Sequence, residues 1–423
     1  MLQASFSIVD EMMVGSLGSV CVAAVGMAGK LSSLYMVVIG AVVSVAGIMM
    51  SQYLGANEKQ ESDRSFSLNL LVALLIGLLF TAVCLTLPNR LMGLYSADSE
   101  TVVTAAKYLK IISVGYLPYA VIMMISARLR CMENAVTPLV CSLAASAVNT
   151  VLNYALIFGK LGFSSIGANG AAIATVISQF FNMLLLLAGT FAVNRKSGLS
   201  FRFSPVLMQL QFGEYLSMLL PVLVIEFMWS LSENVYASVY GHIGTPESAA
   251  MTLTYPIQGL MIGALSGLSQ AAGILIGKEL GRKEYETAYR KSKYLVYCAL
   301  VGSFVLSVVL VYLMGLYTDM FNVEDYVKRV AQQILLVFAI VSPVKVLNMI
   351  LGGGIVKSGG RTKTVMIIEL VGTWGVGVPL ALLSAYVWHL PIPMVYFLLS
   401  LEEIVRLVLM WIVFVRKKWM RKL

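Results

Sequence analysis

Asp10 and Glu11 stand in the run FSIVDEMMVGSLG, residues 6–18, whose other side chains are mostly apolar. A carboxylate inside an apolar span is expensive to hold there and marks an ion or proton pathway by default. Three further polar residues accompany Asp10. Asn149 and Asn153, in SAVNTVLNYALIFG, are spaced i, i+4 and so share one helix face. Thr175 follows Gly170 in GANGAAIATVISQ. Measured from the glycines that end or begin each run, Asp10, Asn153 and Thr175 all lie about 8–9 Å below one surface, at about 1.5 Å per residue. One carboxylate with amide and hydroxyl oxygens is a hard-cation set. Burial would also raise the Asp10 pKa and suit it to carrying a proton. The expectation is a coupling-ion site for Na⁺ or H⁺, with Asp10, Asn149 and Asn153 as the Na⁺ ligands. The competing reading is that Asp10 only bridges helices through those asparagines. Glu11 points about 100° away from Asp10 and is assigned to a substrate cavity.

The second half has no equivalent of Asp10; the matching position is Tyr236. It carries instead Glu226 and Glu233, seven residues apart on one face, with Lys345 and Glu369 in other apolar runs. Lys345 is expected to neutralise Glu226 or Glu233. These residues and Tyr236 are candidates for a cavity that takes a cationic substrate or relays protons, against the alternative of a buried structural ion pair. Glu402, Glu403 and Arg406 fall near the middle of the last run, and Glu402 with Arg406, spaced i, i+4, is expected to be a structural pair. Trp229, Tyr236, Tyr240, Tyr255 and Trp374 would suit flat apolar cations, though such residues more often pack or anchor.

Composition says what must hold these residues. Of 423 residues 59% are hydrophobic and 12% charged, and mean hydropathy is +0.86. A soluble domain has about 25% charged residues. The chain is an all-α integral membrane protein. A net charge of +9 then reflects basic cytoplasmic loops, not nucleic acid. The five cysteines lack metal or redox spacing and are read as small core residues, and His242 and His389 fall in short loops. No phosphate-binding loop and no Ser/His/Asp arrangement is present, so the chain is not expected to be an enzyme or to need a cofactor beyond its coupling ion. No basic region precedes the first apolar run, so no cleavable signal peptide is expected.

Apolar runs and breaks place twelve spans near 1–15, 31–54, 66–88, 102–127, 137–159, 168–193, 214–240, 250–277, 292–315, 327–351, 363–388 and 393–415. Residues 1–193 form an N-lobe of six helices, 194–213 a cytoplasmic linker, 214–415 a C-lobe of six, and 416–423 a basic cytoplasmic tail. With the 55–65 and 278–293 connections inside, 21 Lys and Arg lie inside and 7 outside, Lys30 among the latter. That bias puts both ends of the full chain in the cytoplasm.

The halves repeat each other. LMGLY occurs at 91–95 and again at 313–317; LGANEKQESDR (54–64) matches LGRKEYETAYR (280–290); Pro118 matches Pro343; SQFFNMLLL (178–186) matches EEIVRLVLM (402–410). Two six-helix repeats share one orientation and relate by a pseudo-two-fold axis along the membrane normal, an arrangement suited to alternating access. The run before Gly15 is 14 residues long, short of the roughly 30 Å hydrocarbon core. The first helix is therefore expected to be truncated.

Those repeats, with VDEMMVGSLG, SQYLGAN, LMGLYSAD, NTVLNYALIFG, GANGAAIATVISQ, GGGIVKSGGRTK and VGVPLALL, resemble the multidrug and toxic compound extrusion (MATE) family across essentially the whole chain. The resemblance implies a cation-coupled antiporter of a prokaryotic plasma membrane. It would export small organic, often cationic, drugs or toxic compounds in exchange for Na⁺ or H⁺, as a monomer in the lipid bilayer. It also implies that Asp10, Asn149, Asn153 and Thr175 form the first-lobe cation site. Acids that other members carry in the eighth and tenth helices are absent here. Two other readings stay open: a lipid-linked oligosaccharide flippase of the same superfamily, and a truncated paralogue without transport.

Overall fold

The structure is a computed structural model that describes residues 13, 15, 17, 19–96, 98–197, 212–321 and 323–422. The first expected helix, with Asp10 and Glu11, lies outside the described residues. Among those described, every regular element is helical, and nine helices are long and apolar enough to cross a membrane.

The chain divides into two compact units. The first holds residues 1–50 and 59–210, and the second 51–58 and 211–423. The first unit contains α1 (Ser19–Gly55, whose last turn belongs to the second), α2 (Lys59–Thr86), α3 (Pro88–Gly93), α4 (Ser99–Ser113), α5 (Tyr116–Cys131), α6 (Val136–Phe158) and α7 (Ala168–Ser197). The second contains α8 (Phe212–Ile243), α9 (Thr245–Gly281), α10 (Tyr285–Asp319), α11 (Asp325–Val356, π-helical over Met349–Val356) and α12 (Thr362–Val387, also with π turns). It ends in α13 (Ile392–Leu399) and α14 (Leu401–Val415), a pair interrupted at Ser400. The twelve-span expectation fits this set, with the first span outside the described residues and α13–α14 as the last.

Two expectations change. The second span begins at Ser19, not 31, so Lys30 belongs to a helix and not to a loop. Twenty-five residues separate Lys30 from Gly55, about 37 Å of helix, so the lysine still clears a 30 Å core. The fourth span is two helices, α4 and α5, bent by 43°. Pro118 explains the bend, because it has no N–H for the carbonyl four residues earlier.

In hydrocarbon a freed backbone group must find a partner inside the protein. Here two neighbouring helices donate to carbonyls that flank the break. Thr81 of α2 donates its hydroxyl to the Ser113 carbonyl at 2.9 Å. Tyr35 of α1 donates to the Tyr116 carbonyl at 2.5 Å and stacks on that ring, centroids 4.3 Å apart. The bend thus fixes where α1 and α2 pack. At the far end of α5, Arg128 donates to the Ser62 carbonyl at 3.1 Å and pairs with Asp63.

The repeat shows in the backbone. Asn57 and Lys283 both take φ of +62°. Their flanking turns make the same bonds: Glu58 N–H to Tyr53 O at 2.9 Å, and Glu284 N–H to Glu279 O at 3.0 Å. The loop between α3 and α4 lies outside the spans. There Asp98 caps α4 by accepting from the Thr101 hydroxyl (2.5 Å) and amide (3.0 Å), which holds its carboxyl below the usual range.

Two sequence readings are corrected, and the tail shows contacts that its charge did not suggest. Cys84, Cys131 and Cys141 are buried as expected, but Cys298 is exposed on α10 and Cys21 is half-buried. His242 belongs to the last turn of α8, not to a loop. The basic tail docks back on its own unit: Trp419 is fully buried and stacks on Phe414, Lys417 pairs with Glu286 at 2.9 Å, and Lys422 pairs with Glu58 at 2.7 Å.

Thr81→Val keeps the side-chain shape but leaves the buried Ser113 carbonyl without its donor. It is expected to lower stability by about 1–3 kcal/mol in a denaturant titration in detergent. Thr86→Val, at an exposed hydroxyl that bonds only within its own helix, is expected to change little.

Candidate functional site

The first unit gathers the asparagines with α7. The four-residue spacing puts Asn149 and Asn153 on the face of α6 that packs along α7, and both are buried. Asn149 Nδ2 lies 3.4 Å from Thr175 Oγ1 and 3.3 Å from Ser178 Oγ. Asn153 Nδ2 donates to Asn149 Oδ1 at 3.2 Å. Thr175 in turn donates to the Ala171 carbonyl at 3.0 Å, and Ser178 to the Thr175 carbonyl at 2.9 Å. Sequence reasoning singled out three of these four residues. It missed Ser178, although its i, i+3 spacing from Thr175 was visible. The result is a set of amide and hydroxyl oxygens on two spans with no charged member among the described residues. Such a set suits a hard cation once a carboxylate joins it. Among the described residues no three His, Cys, Asp or Glu side chains gather as a metal site.

The second unit is built oppositely, around a charge. Arg406 of α14 is buried and pairs with three carboxylates. These are Glu369 of α12, Glu402 at 2.7 Å and Glu403 at 2.8 Å. Tyr236 of α8 donates to Glu402 at 2.9 Å. Asn348 of α11 donates to the Glu403 carboxylate at 2.8 Å and to its carbonyl at 2.7 Å. Lys345 of α11 stands 4.0 Å from Glu403. Two glycines of α12 make room: a Cβ at Gly372 would meet the Arg406 stem, and one at Gly377 the Glu402 carboxylate and the Tyr236 hydroxyl. The cluster therefore ties α8, α11, α12 and α14 together.

This arrangement bears out Glu402–Arg406 as a pair and corrects Lys345, whose partner is Glu403, not Glu226 or Glu233. Glu226 is half-buried and Glu233 exposed, and neither makes an ion pair among the described residues. Of the cavity candidates, Tyr236 and Glu369 are committed to the Arg406 cluster, and Lys345 stands beside it. Asn348 is the residue that sequence reasoning missed; Glu403 was seen beside Glu402 and Arg406, but not as the partner of Arg406 and Lys345. The repeat offered a signal for Glu403, since SQFFNMLLL aligned with EEIVRLVLM sets Ser178 against Glu402 and Gln179 against Glu403.

A family model described as MatE matches residues 1–155 and 221–383. The chain belongs to the MatE family. It is a multi-pass membrane protein of that family of efflux transporters. Among curated relatives, the uncharacterized transporter YisQ of Bacillus subtilis is 21% identical over 415 residues, covering 98% of this chain and 90% of its own. The probable multidrug resistance protein NorM of Thermotoga maritima is 23% identical over 435 residues, covering 100% and 90%. Among solved structures, a MATE protein in complex with MaL6 superposes with a TM-score of 0.90 at 18% identity, covering 99% of this chain and 93% of that one. An outward-facing multidrug resistance MATE transporter of the MOP superfamily gives 0.89 at 18% identity, covering 99% and 93%. These structures share the MATE fold with this chain.

Removing the central cation should be far worse than removing one acid. Arg406→Met leaves buried Glu402 and Glu403 and half-buried Glu369 around an apolar side chain and is expected to destabilise the protein by about 3–5 kcal/mol. Glu402→Gln keeps a hydrogen-bonding group and is expected to cost less. Thermal unfolding of the purified variants in detergent measures both.

Proposed function

We propose that this MATE-family protein is a cation-coupled antiporter of a prokaryotic plasma membrane. It exports small organic cations in exchange for Na⁺ or H⁺ by alternating access. The observation that carries the proposal is the joining of Asn149, Asn153, Thr175 and Ser178 on α6 and α7. Uncharged oxygen donors gathered in a membrane span favour a small hard cation once they share a site with one carboxylate, and Asp10 is the carboxylate that the sequence supplies. Cation binding there favours the outward-facing state, where substrate leaves; return of the cation inward completes the cycle. The ion drives transport only through different affinities in the two states. The names of the relatives extend drug and toxic-compound export to this chain. The basic bias of the loops supports both ends of the full chain lying in the cytoplasm, and the protein acts as a monomer.

A lipid-linked oligosaccharide would need free cations to receive a pyrophosphate. Arg406 is already bonded to carboxylates, and Lys345 lies beside one of them, in a cluster where acids outnumber bases. The antiporter reading is therefore the stronger.

The test is ethidium efflux from everted vesicles under an imposed Na⁺ or pH gradient. Efflux is expected to follow one gradient, which names the ion. Asp10→Asn is expected to abolish that response, and Asn153→Leu to reduce it by about tenfold or more, the effect of removing one ligand's hydrogen-bonding group. Gradient-driven efflux that persists unchanged in folded Asp10→Asn would overturn the proposal.

A further inference from the structure

Between the starts of α8 and α12 and the docked tail is a cavity of about 280 Å³, with Ser217, Gly360, Arg361, Thr362, Lys363 and Arg421 in its wall. The loop before α12 is drawn tight there. Gly360 takes φ of +73°, and a Cβ at Gly359 would strike the Trp419 carbonyl. Buried Gln52 holds both walls, donating to the Ser358 carbonyl at 2.7 Å and to the Arg421 carbonyl at 3.2 Å.

Several independent features make this cavity fit an anion. The first amides of a helix have no acceptor within it, and they sit at the positive end of its dipole. Arg361, the N-cap of α12, gives them no side-chain oxygen. The first repeat solves the same problem internally, since Asn134 accepts from the Thr137 amide at 3.1 Å at the start of α6. In the second repeat the offset that pairs Pro118 with Pro343 sets Gly359 against Asn134, and glycine has no side chain to accept, so the acceptor must come from elsewhere. Thr362 is 1% exposed, and its hydroxyl has no hydrogen-bond partner. Arg361, Lys363 and Arg421 are exposed and make no ion pair among the described residues. Three cations, an uncapped helix start and an unused hydroxyl are the groups that bind a phosphate elsewhere.

Its position says whose phosphate. The site lies at the first residue of a span, where lipid headgroups meet water. The cavity wall includes Ile367, 49% exposed, and Leu220, three residues after Ser217 on α8, is 54% exposed. These are apolar surfaces for acyl chains. We propose that this cavity binds the phosphodiester headgroup of an anionic phospholipid, and so clamps α12, α8 and the carboxyl-terminal tail at the membrane surface.

The test uses the full chain, purified in detergent and stripped of lipid, and titrated with short-chain phosphatidylglycerol, phosphatidylcholine or inorganic phosphate. Thermal midpoint and lipid retained in native mass spectrometry are the readouts. Phosphatidylglycerol is expected to bind saturably and raise the midpoint, with phosphatidylcholine much weaker. Arg361→Gln with Lys363→Gln is expected to weaken phosphatidylglycerol binding by about tenfold or more, on the scale of two interfacial charges. Thr362→Val keeps shape and charge and is expected to weaken it several-fold, so the site is read even where the charge variant fails to fold. Arg290→Gln, which removes one exposed charge elsewhere, is expected to change nothing. Equal binding of both lipids, equal weakening by Arg290→Gln, or a full shift from inorganic phosphate alone would each overturn the proposal.

Discussion

Inside a hydrocarbon layer a polar group has only the protein to bond to. That constraint shapes each unit wherever its helices depart from regularity. The bend at Pro118 frees backbone groups, and the hydroxyls of Thr81 and Tyr35 come to that stretch from neighbouring spans. The packing of α1 and α2 against the bent span is thus partly dictated by where a proline falls. In the second unit the same demand falls on charges. Arg406 sits among three carboxylates drawn from two helices, and Tyr236 and Asn348 add bonds from two more.

The two units satisfy the demand in opposite ways, and this difference underlies the functional reading. Aligned positions of the repeat carry Ser178 and Gln179 in one half and Glu402 and Glu403 in the other. In the first unit the asparagines of α6 meet hydroxyls, a neutral set with room in its chemistry for a cation. In the second unit the carboxylates are already held by a guanidinium, so their charge goes largely into joining helices. A duplicated fold has in this way kept one architecture while placing a neutral polar set in one half and an ion-paired cluster in the other.

Much of this was legible in the sequence, for identifiable reasons. Long apolar runs report spans directly, because each must cross the same thickness. The i, i+4 spacing of Asn149 and Asn153 fixes a shared face whatever packs against it. The repeat aligned Asn57 with Lys283, and both adopt the same left-handed turn. What escaped depended on contacts between distant segments. Lys345 could be seen as a buried cation, but its choice of Glu403 over Glu226 is set by how α11 crosses α14. The early start of α1 escaped because Lys30 reads as a loop residue, although a helix can carry it past the hydrocarbon edge. The docked tail was invisible for a similar reason: its charges suggest solvent, while Trp419 anchors it in the core.

The central claim is that substrate and a small cation compete across the transport cycle through the polar set of the first unit. Its most direct test is to add ethidium to the purified protein in weakly buffered, low-sodium solution and follow released H⁺ and Na⁺ with ion-sensitive dyes. The account predicts that ethidium binding releases one of the two ions, and that Asp10→Asn binds ethidium without release. Saturable ethidium binding to the unaltered protein with neither ion released would contradict it.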